Sequence, residues 1–292
     1  MLLHARQHRL IFPRRPLIMG IVNINDDSFC NDGTLDPQTA LAQADQMIRD
    51  GADIIDVGAE SARTNRPPIS IDEEVRRLTP FVERWNDLRS APSPISHLPS
   101  PILSINTWRS EVIARVLSIG GDIINDISAL PHARNAELCA HHGAALLIMH
   151  SIGEPKTPHT HIAYDDIVNA LDVFFDEKIA LARSAGLREE QIILDPGINF
   201  AKQRDDNLRI YRELELLKRF GRPILLPVSR KTVIGDVLGL EDPMERDAGT
   251  LACIAAGIRR GGNIFRVHNV KAAAQAVTVL WEMQSHTTPG AL

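Results

Sequence analysis

The chain has 292 residues, 44% hydrophobic and 24% charged, with a formal net charge of −5. This is the make-up of a soluble globular protein with a full core, and it leaves no broad basic surface for nucleic acid. The longest apolar runs, such as 144–149, fall far short of the roughly 20 residues that a membrane span needs. Basic residues interrupt the opening stretch MLLHARQHRL, so it does not read as a secretory signal, and a cytoplasmic location with no membrane partner is expected. Cys30, Cys139 and Cys253 are scattered and form no CxxC pair, which suggests a reducing compartment and no structural metal site.

Short apolar runs alternate with stretches of helical spacing. The first run is 17–23 (LIMGIVN), followed by a helical stretch over 37–50 in which Leu41, Ala44, Met47 and Ile48 share a face. Then come 52–58 (ADIIDVG), 101–107 (PILSINT), 122–128 (DIINDIS) and 145–150 (ALLIMH). A longer amphipathic stretch over 165–184 precedes 191–197 (QIILDPG), 222–230 (RPILLPVSR) and 263–270 (NIFRVHNV). The runs are rich in Ile, Val and Leu and lack polar alternation, as strands buried on both faces should be. Gly51, Gly143, Gly186 and Gly221 stand where helices should stop. Eight strand–helix units imply parallel pairing, and eight is the number that closes a (β/α)8 TIM barrel of the α/β class. A single domain over 1–292 is expected, its core spanning about 17–283, with an open doubly wound sheet as the alternative. The Pro/Ser-rich stretch 90–101 reads as a loop within the same repeat.

Reactive groups in such barrels gather at the C-terminal ends of the strands. Here every run ends in polar residues: Asn23, Asp56, Asn106, Asn125 with Asp126, His150, Asp195, Ser229 with Arg230 and Lys231, and Arg266 with His268 and Asn269. A mouth that mixes carboxylates, amides and basic groups suits a polar heterocycle together with an anion. The long stretches 25–34 and 62–69 on the same face read as lids.

Six segments then carry a resemblance: MGIVNINDDSF (19–29), GADIIDVGAES (51–61), INDIS (124–128), LDPGINF (194–200), SRK (229–231) and RVHNV (266–270). In this order they resemble the successive motifs of the dihydropteroate synthase family, over about residues 17 to 283. The resemblance implies a folate-biosynthesis transferase, a sulfonamide target that joins a pterin diphosphate to p-aminobenzoate with loss of pyrophosphate. It implies that Asp195 accepts from the 2-amino and ring N–H donors of the pterin, that Asn125 reads the same ring, and that Lys231 contacts the carbonyl and ring nitrogen. Met149 would pack on the ring. Arg266 and His268 would bind the diphosphate, with Asn23 as the contact of a Mg2+ ion. Arg63 and Asp27 would lie on the two closing loops. Phe200 and Lys202, with Ser229 and Arg230 beside them, would border the p-aminobenzoate subsite. Departure of the diphosphate before attack by the amine, with no covalent enzyme nucleophile, is the expected order. The family is commonly dimeric, so a homodimer is a further implication.

The chain differs from the family's pattern at several positions. Asn25 and Asp26 replace Thr-Pro, Ala62 replaces a Thr, and Asn106 replaces the aspartate of the third strand, which should weaken stabilisation of a developing cation. Asn199 and Ala201 stand where glycines are usual and should add bulk beside the amine site, and Pro227 replaces a small residue. Two other readings fit the motifs: a divergent paralogue that binds a pterin or related diphosphate without making dihydropteroate, and a pterin-binding methyltransferase domain. The Ser229–Lys231 and Arg266–His268 sets favour the synthase.

Overall fold

The computed structural model describes residues 1–26, 33–61, 64, 66–88, 98–157 and 162–284. Eight parallel strands form the sheet: β3 (Leu17–Asn23), β4 (Ile54–Gly58), β5 (Ile102–Asn106), β6 (Ile123–Asp126), β7 (Ala145–Met149), β8 (Ile192–Asp195), β9 (Leu225–Leu226) and β10 (Ile264–Val267). Their order is β8-β7-β6-β5-β4-β3-β10-β9, and a parallel bridge between Leu194 and Ile224 closes the ring. This is a (β/α)8 barrel; the open-sheet alternative falls with that bridge.

The surrounding helices are α1 (Pro37–Arg49), α2 (Ile71–Leu88), α3 (Ser110–Ile119), α4 (Arg134–His142) and α5 (Ile167–Ser184), then α6 (Arg204–Glu213), α7 (Thr232–Leu238), α8 (Asp247–Arg260) and α9 (Val270–Met283). Their starts follow the sequence locally. Asp36 caps α1 by accepting from the Thr39 N–H at 2.9 Å, with Pro37 in the first turn, where a missing N–H costs nothing. Asp166 caps α5 from Val168 and Asn169, so that helix begins two residues later than its apolar spacing suggested. Gly143 and Gly221 end their helical segments in the left-handed region, as expected. Among the described residues no helix is long and apolar enough to cross a membrane.

All eight expected strands are present, but the seventh is far shorter than its apolar run. Only Leu225 and Leu226 are in the ladder, because Pro227 has no N–H with which to continue it. Most of 90–101 lies outside the described residues, as does Cys30.

The strands alternate. Ile18 and Val22 pack outward against the helices, whereas Leu17 and Met19 join Ile54, Ile102, Ile123, Leu147, Ile193 and Ile264 inside the barrel. The interior also holds Leu3, Ala5, Leu10 and Phe12. These come from an antiparallel hairpin, β1 (Leu2–Ala5) and β2 (His8–Ile11), which lies across the N-terminal ends of the strands. This plug was not expected from the sequence. Its strands have four residues each, too few for an alternation to stand out, and its tight turn has no glycine, with Arg6 itself at φ +50°.

Two buried aspartates fasten this end. Asp53 precedes β4 and accepts the Ile18 N–H of neighbouring β3 at 2.9 Å; Asp122 precedes β6 and accepts the Leu103 N–H of β5, also at 2.9 Å. Each faces a basic residue of the N-terminal segment: Arg15 lies 3.2 Å from Asp53, and His8 Nε2 lies 3.7 Å from Asp122. A charged pair taken out of water is stabilising only while both members remain. Asp53→Asn keeps an oxygen for Ile18 but leaves the Arg15 charge buried alone. Urea unfolding of this variant should show a loss of about 3 kcal/mol; an unchanged midpoint would mean that Arg15 reaches water.

Candidate functional site

At the opposite end the strand termini surround a cavity of about 620 Å³. The expected residues Asn23, Asn106, Asn125, Met149 and Asp195 line it from β3, β5, β6, β7 and β8. Ser229 and Lys231 enter after β9, Arg266 from β10 and His268 just after it, and Phe200 and Lys202 from the loop that follows β8. Ser61, Thr64 and Lys156 form part of the rim.

Asp56 ties the polar wall together. Its carboxylate is fully buried and accepts from Ser104 Oγ at 2.6 Å, Asn125 Nδ2 at 3.0 Å and Arg266 Nε at 2.7 Å. The first bond links β4 to β5, the second reaches β6, and the third reaches β10 on the other side of β3. Because Asn125 spends its amide nitrogen on Asp56, its oxygen is the atom left to accept a ligand N–H. With Nε held, the guanidinium of Arg266 keeps its two terminal nitrogens for an anion.

Asp195 lies on the floor, its Oδ1 accepting the Gly197 N–H at 2.7 Å. Burial raises its carboxyl above the usual carboxylate range, opposed by that N–H and by the charges of Lys231, Lys202 and Arg266. Burial lowers the Lys231 ammonium below the usual lysine range, opposed chiefly by Asp195. The same ammonium lies 5.0 Å from the centre of the Phe200 ring. Ser229 Oγ accepts the His268 backbone N–H at 3.1 Å and lies 2.9 Å from His268 Nδ1. A hydroxyl that accepts from the backbone can turn its own hydrogen to Nδ1, which leaves Nε2 as the N–H donor of a neutral ring.

The rim has its own carboxylate. Glu60 Oε1 accepts the Ile69 N–H at 3.1 Å and lies 3.3 Å from Lys156 Nζ, while Oε2 lies 2.8 Å from Arg109. Lys156 also donates to Ser61 O at 3.1 Å, so the loops after β4, β5 and β7 share one ionic knot.

A family model described as "Pterin binding enzyme" matches residues 19–268. The dihydropteroate synthase of Synechocystis is 38% identical over 273 residues, which is 92% of this chain and 91% of that protein. Among solved structures, the Yersinia pestis dihydropteroate synthase with a sulfonamide drug has a TM-score of 0.87 at 32% identity, covering 98% of this chain and 99% of that one. The Xanthomonas albilineans enzyme with 4-aminobenzoic acid has a TM-score of 0.84 at 30% identity, covering 98% and 99%.

The chain belongs to the dihydropteroate synthase family.

Eleven of the residues expected for a dihydropteroate synthase line one cavity: Asn23, Asn106, Asn125, Met149, Asp195, Phe200, Lys202, Ser229, Lys231, Arg266 and His268. Arg230 does not. Its side chain turns away to Asp247, at 2.8 and 3.1 Å, and to the sulfur of Met244, with φ at +57° carrying it off the wall. Asp27 and Arg63, with Ala62 and most of both expected lids, lie outside the described residues.

Asn199 and Ala201 receive a different explanation from bulk. Their φ values are +66° and +49°, a left-handed region that glycine enters freely, asparagine tolerates and alanine enters only with strain. The family's glycines at these positions meet a backbone requirement. Here Asn199 also accepts the Val233 N–H at 3.3 Å, which gives its side chain a structural task.

Among groups that sequence reasoning undervalued, Asp56 stood at a strand end but was assigned no role. Its position inside GADIIDVG, an acid within an apolar strand, was the available signal. For Lys156 no sequence signal pointed across the mouth to Glu60. Asp56→Asn would turn an amide donor toward at least one of Ser104, Asn125 and Arg266. The variant should keep its fold by circular dichroism yet bind inorganic pyrophosphate about tenfold more weakly by calorimetry. Equal binding would show that Arg266 needs no such restraint.

Proposed function

We propose that the chain condenses 6-hydroxymethyl-7,8-dihydropterin diphosphate with p-aminobenzoate in the cytoplasm, giving dihydropteroate and pyrophosphate for folate biosynthesis. The observation that carries this reading is the convergence, in one cavity of about 620 Å³, of acceptors for a flat heterocycle and donors for an anion. Asp195 would take the 2-amino and ring N–H donors as a bidentate acceptor, Asn125 would offer its oxygen, and Lys231 would donate to the carbonyl and ring nitrogen. Met149 would cover one ring face. Those groups anchor the heterocycle at Asp195 and place its exocyclic carbon toward Arg266 and His268.

The C–O bond to the diphosphate breaks first, its electron pair leaving with pyrophosphate and the positive charge spreading from the methylene carbon into the pterin ring. Arg266 and His268 are already fixed by Asp56 and Ser229, so they stabilise the departing charge without reorganising. The lone pair of the arylamine then forms the C–N bond, and the resulting ammonium gives its proton to solvent. No enzyme nucleophile takes part.

Among the described residues no group of three His, Cys, Asp or Glu side chains could hold a metal ion. Asn23, on the cavity wall, offers one amide oxygen, which suits a Mg2+ ion carried on the diphosphate better than a protein cage. Held there, the ion would neutralise part of the leaving group's charge. Sulfonamides would compete for the amine subsite. A homodimer is part of the same reading, with the exposed Val279 and Met283 of α9 as the candidate contact.

Turnover is tested by pyrophosphate release with and without p-aminobenzoate. The expected result is amine-dependent release, with slow release from the pterin diphosphate alone. Asn106 motivates the second reading, a pterin-diphosphate binder that makes no dihydropteroate. Asn106→Asp restores a carboxylate near the developing cation and should raise the rate on the order of tenfold. Release from neither protein in any mixture would leave the binder as the surviving reading.

Pterin binding should depend on pH on both sides. Asp195 accepts only when ionised, and its raised pKa means that binding is lost on acidification at a higher pH than an ordinary carboxylate would give. Lys231 donates fully only when protonated, and its lowered pKa means that binding is lost on the alkaline side earlier than for an ordinary lysine. Calorimetric titration with a pterin across the pH range should give a bell; a flat profile would exclude these two groups as ligands.

A further inference from the structure

Lys202 was expected to contact the substrate. Its environment assigns the ammonium another task. Nζ lies 2.9 Å from Phe200 O, 3.2 Å from His150 O and 2.8 Å from His150 Nδ1. A lysine ammonium has three hydrogens, and three protein acceptors take them. Burial holds His150 neutral, its pKa pushed down to about 2, with the Lys202 charge acting in the same direction. Nδ1 is therefore free to accept. His150 is itself braced by the Phe174 ring, edge-on with centroids 4.7 Å apart.

The segment held by this clasp is the strained one. Gly197, Asn199 and Ala201 all lie at positive φ within five residues, at +68°, +66° and +49°. Non-glycine residues remain in such conformations only where neighbouring contacts over-determine them. Close packing supplies part of the restraint: a Cβ built on Gly197 would meet His150 O at 1.9 Å and Lys202 Nζ at 3.1 Å. Phe200 lies between the two strained non-glycine residues. Its carbonyl is tied to Lys202, and its ring meets the Lys231 ammonium at 5.0 Å.

We infer that Lys202 is a positioning residue: it clasps the loop after β8 onto His150, thereby setting the Phe200 ring as the wall of the subsite for the arylamine, and it does not bind the amine's carboxylate. This rests on the proposed reaction and deepens it. A direct ligand of the carboxylate and a clasp predict different specificity, so the comparison uses two acceptors, p-aminobenzoate and its neutral carboxamide.

In Lys202→Met the ammonium is removed and the stem kept. We expect kcat/KM to fall by roughly tenfold to a hundredfold for both acceptors, carried mainly by the KM of the amine, with the ratio between them unchanged within about twofold. His150→Phe, which removes the Nδ1 acceptor with the rest of the imidazole's polar edge while keeping the backbone acceptor and a ring against Phe174, should give a milder loss of the same form. A loss confined to the carboxylate acceptor would overturn the inference, and so would no loss at all. Hydrogen exchange at amides 197–202 should accelerate in Lys202→Met relative to the wild-type chain, and unaltered exchange would also overturn it. If the wild-type chain turns over neither acceptor, the reading of the reaction fails, and the exchange measurement alone decides whether the clasp exists.

Discussion

A carboxylate buried beyond the reach of water must find donors or give up its charge, and Asp56 meets that demand by drawing three strands' side chains to one point. Ser104, Asn125 and Arg266 are held because Asp56 needs them. A ligand therefore meets groups whose orientation was settled on folding. Asn125 has its orientation fixed through its amide nitrogen, which leaves its oxygen as an acceptor, and Arg266 has lost the freedom of its stem. In water an arginine loses rotamer entropy when it grips an anion; here that loss has been taken during folding, where barrel packing offsets it.

The same physics operates at the far end with a different result. Asp53 and Asp122 each accept a backbone N–H from the preceding strand, so these acids stitch the barrel's staggered starts where a side chain can reach further than the ladder. Their basic partners, Arg15 and His8, come from the N-terminal segment, which ties the hairpin plug to the barrel it closes. Buried acids thus anchor both mouths. Below, their partners are protein groups that stay; above, a partner such as Arg266 has capacity left for something that arrives. That difference separates the stability face from the reactive face better than polarity does.

Much of this was legible beforehand because the barrel repeats one unit. Eight apolar runs with polar ends announce both the closed sheet and the rim that carries its chemistry, and local stops such as Gly143 and Gly221 mark helix ends without tertiary information. What was not legible depends on direction and distance. The hairpin is too short for its alternation to be seen. Arg230 sits in a motif whose neighbours face the cavity, and only the backbone turn at that residue shows that it does not. Glycine-to-alanine change at 201 reads as added bulk in one dimension, whereas the positive φ shows it to be a matter of backbone strain. Lys202 looks like a free cation in sequence, and three acceptors within 3.2 Å show that it is spent.

That last point alters the charge balance of the cavity. Counting every basic group on its wall would give an excess of positive charge, suited to holding a diphosphate but hostile to a cation forming beside it. With Lys202 committed to two carbonyls and an imidazole, and Arg266 partly neutralised by Asp56, the charged donors directed at an anion are the terminal nitrogens of Arg266, with the neutral His268 ring lining the same cavity. Asp195 then faces Lys231 on the floor, a near-neutral pair beneath the heterocycle. In the proposed reaction the leaving group and the cation it leaves behind would thus meet different surroundings within one pocket. Asn106 lines the same cavity, at a position where the family's pattern has a carboxylate. An amide there neither repels the departing anion nor stabilises the carbon it leaves. On the proposed order of steps, Asp195 would then carry more of the stabilisation of the cation than it would beside an aspartate at 106.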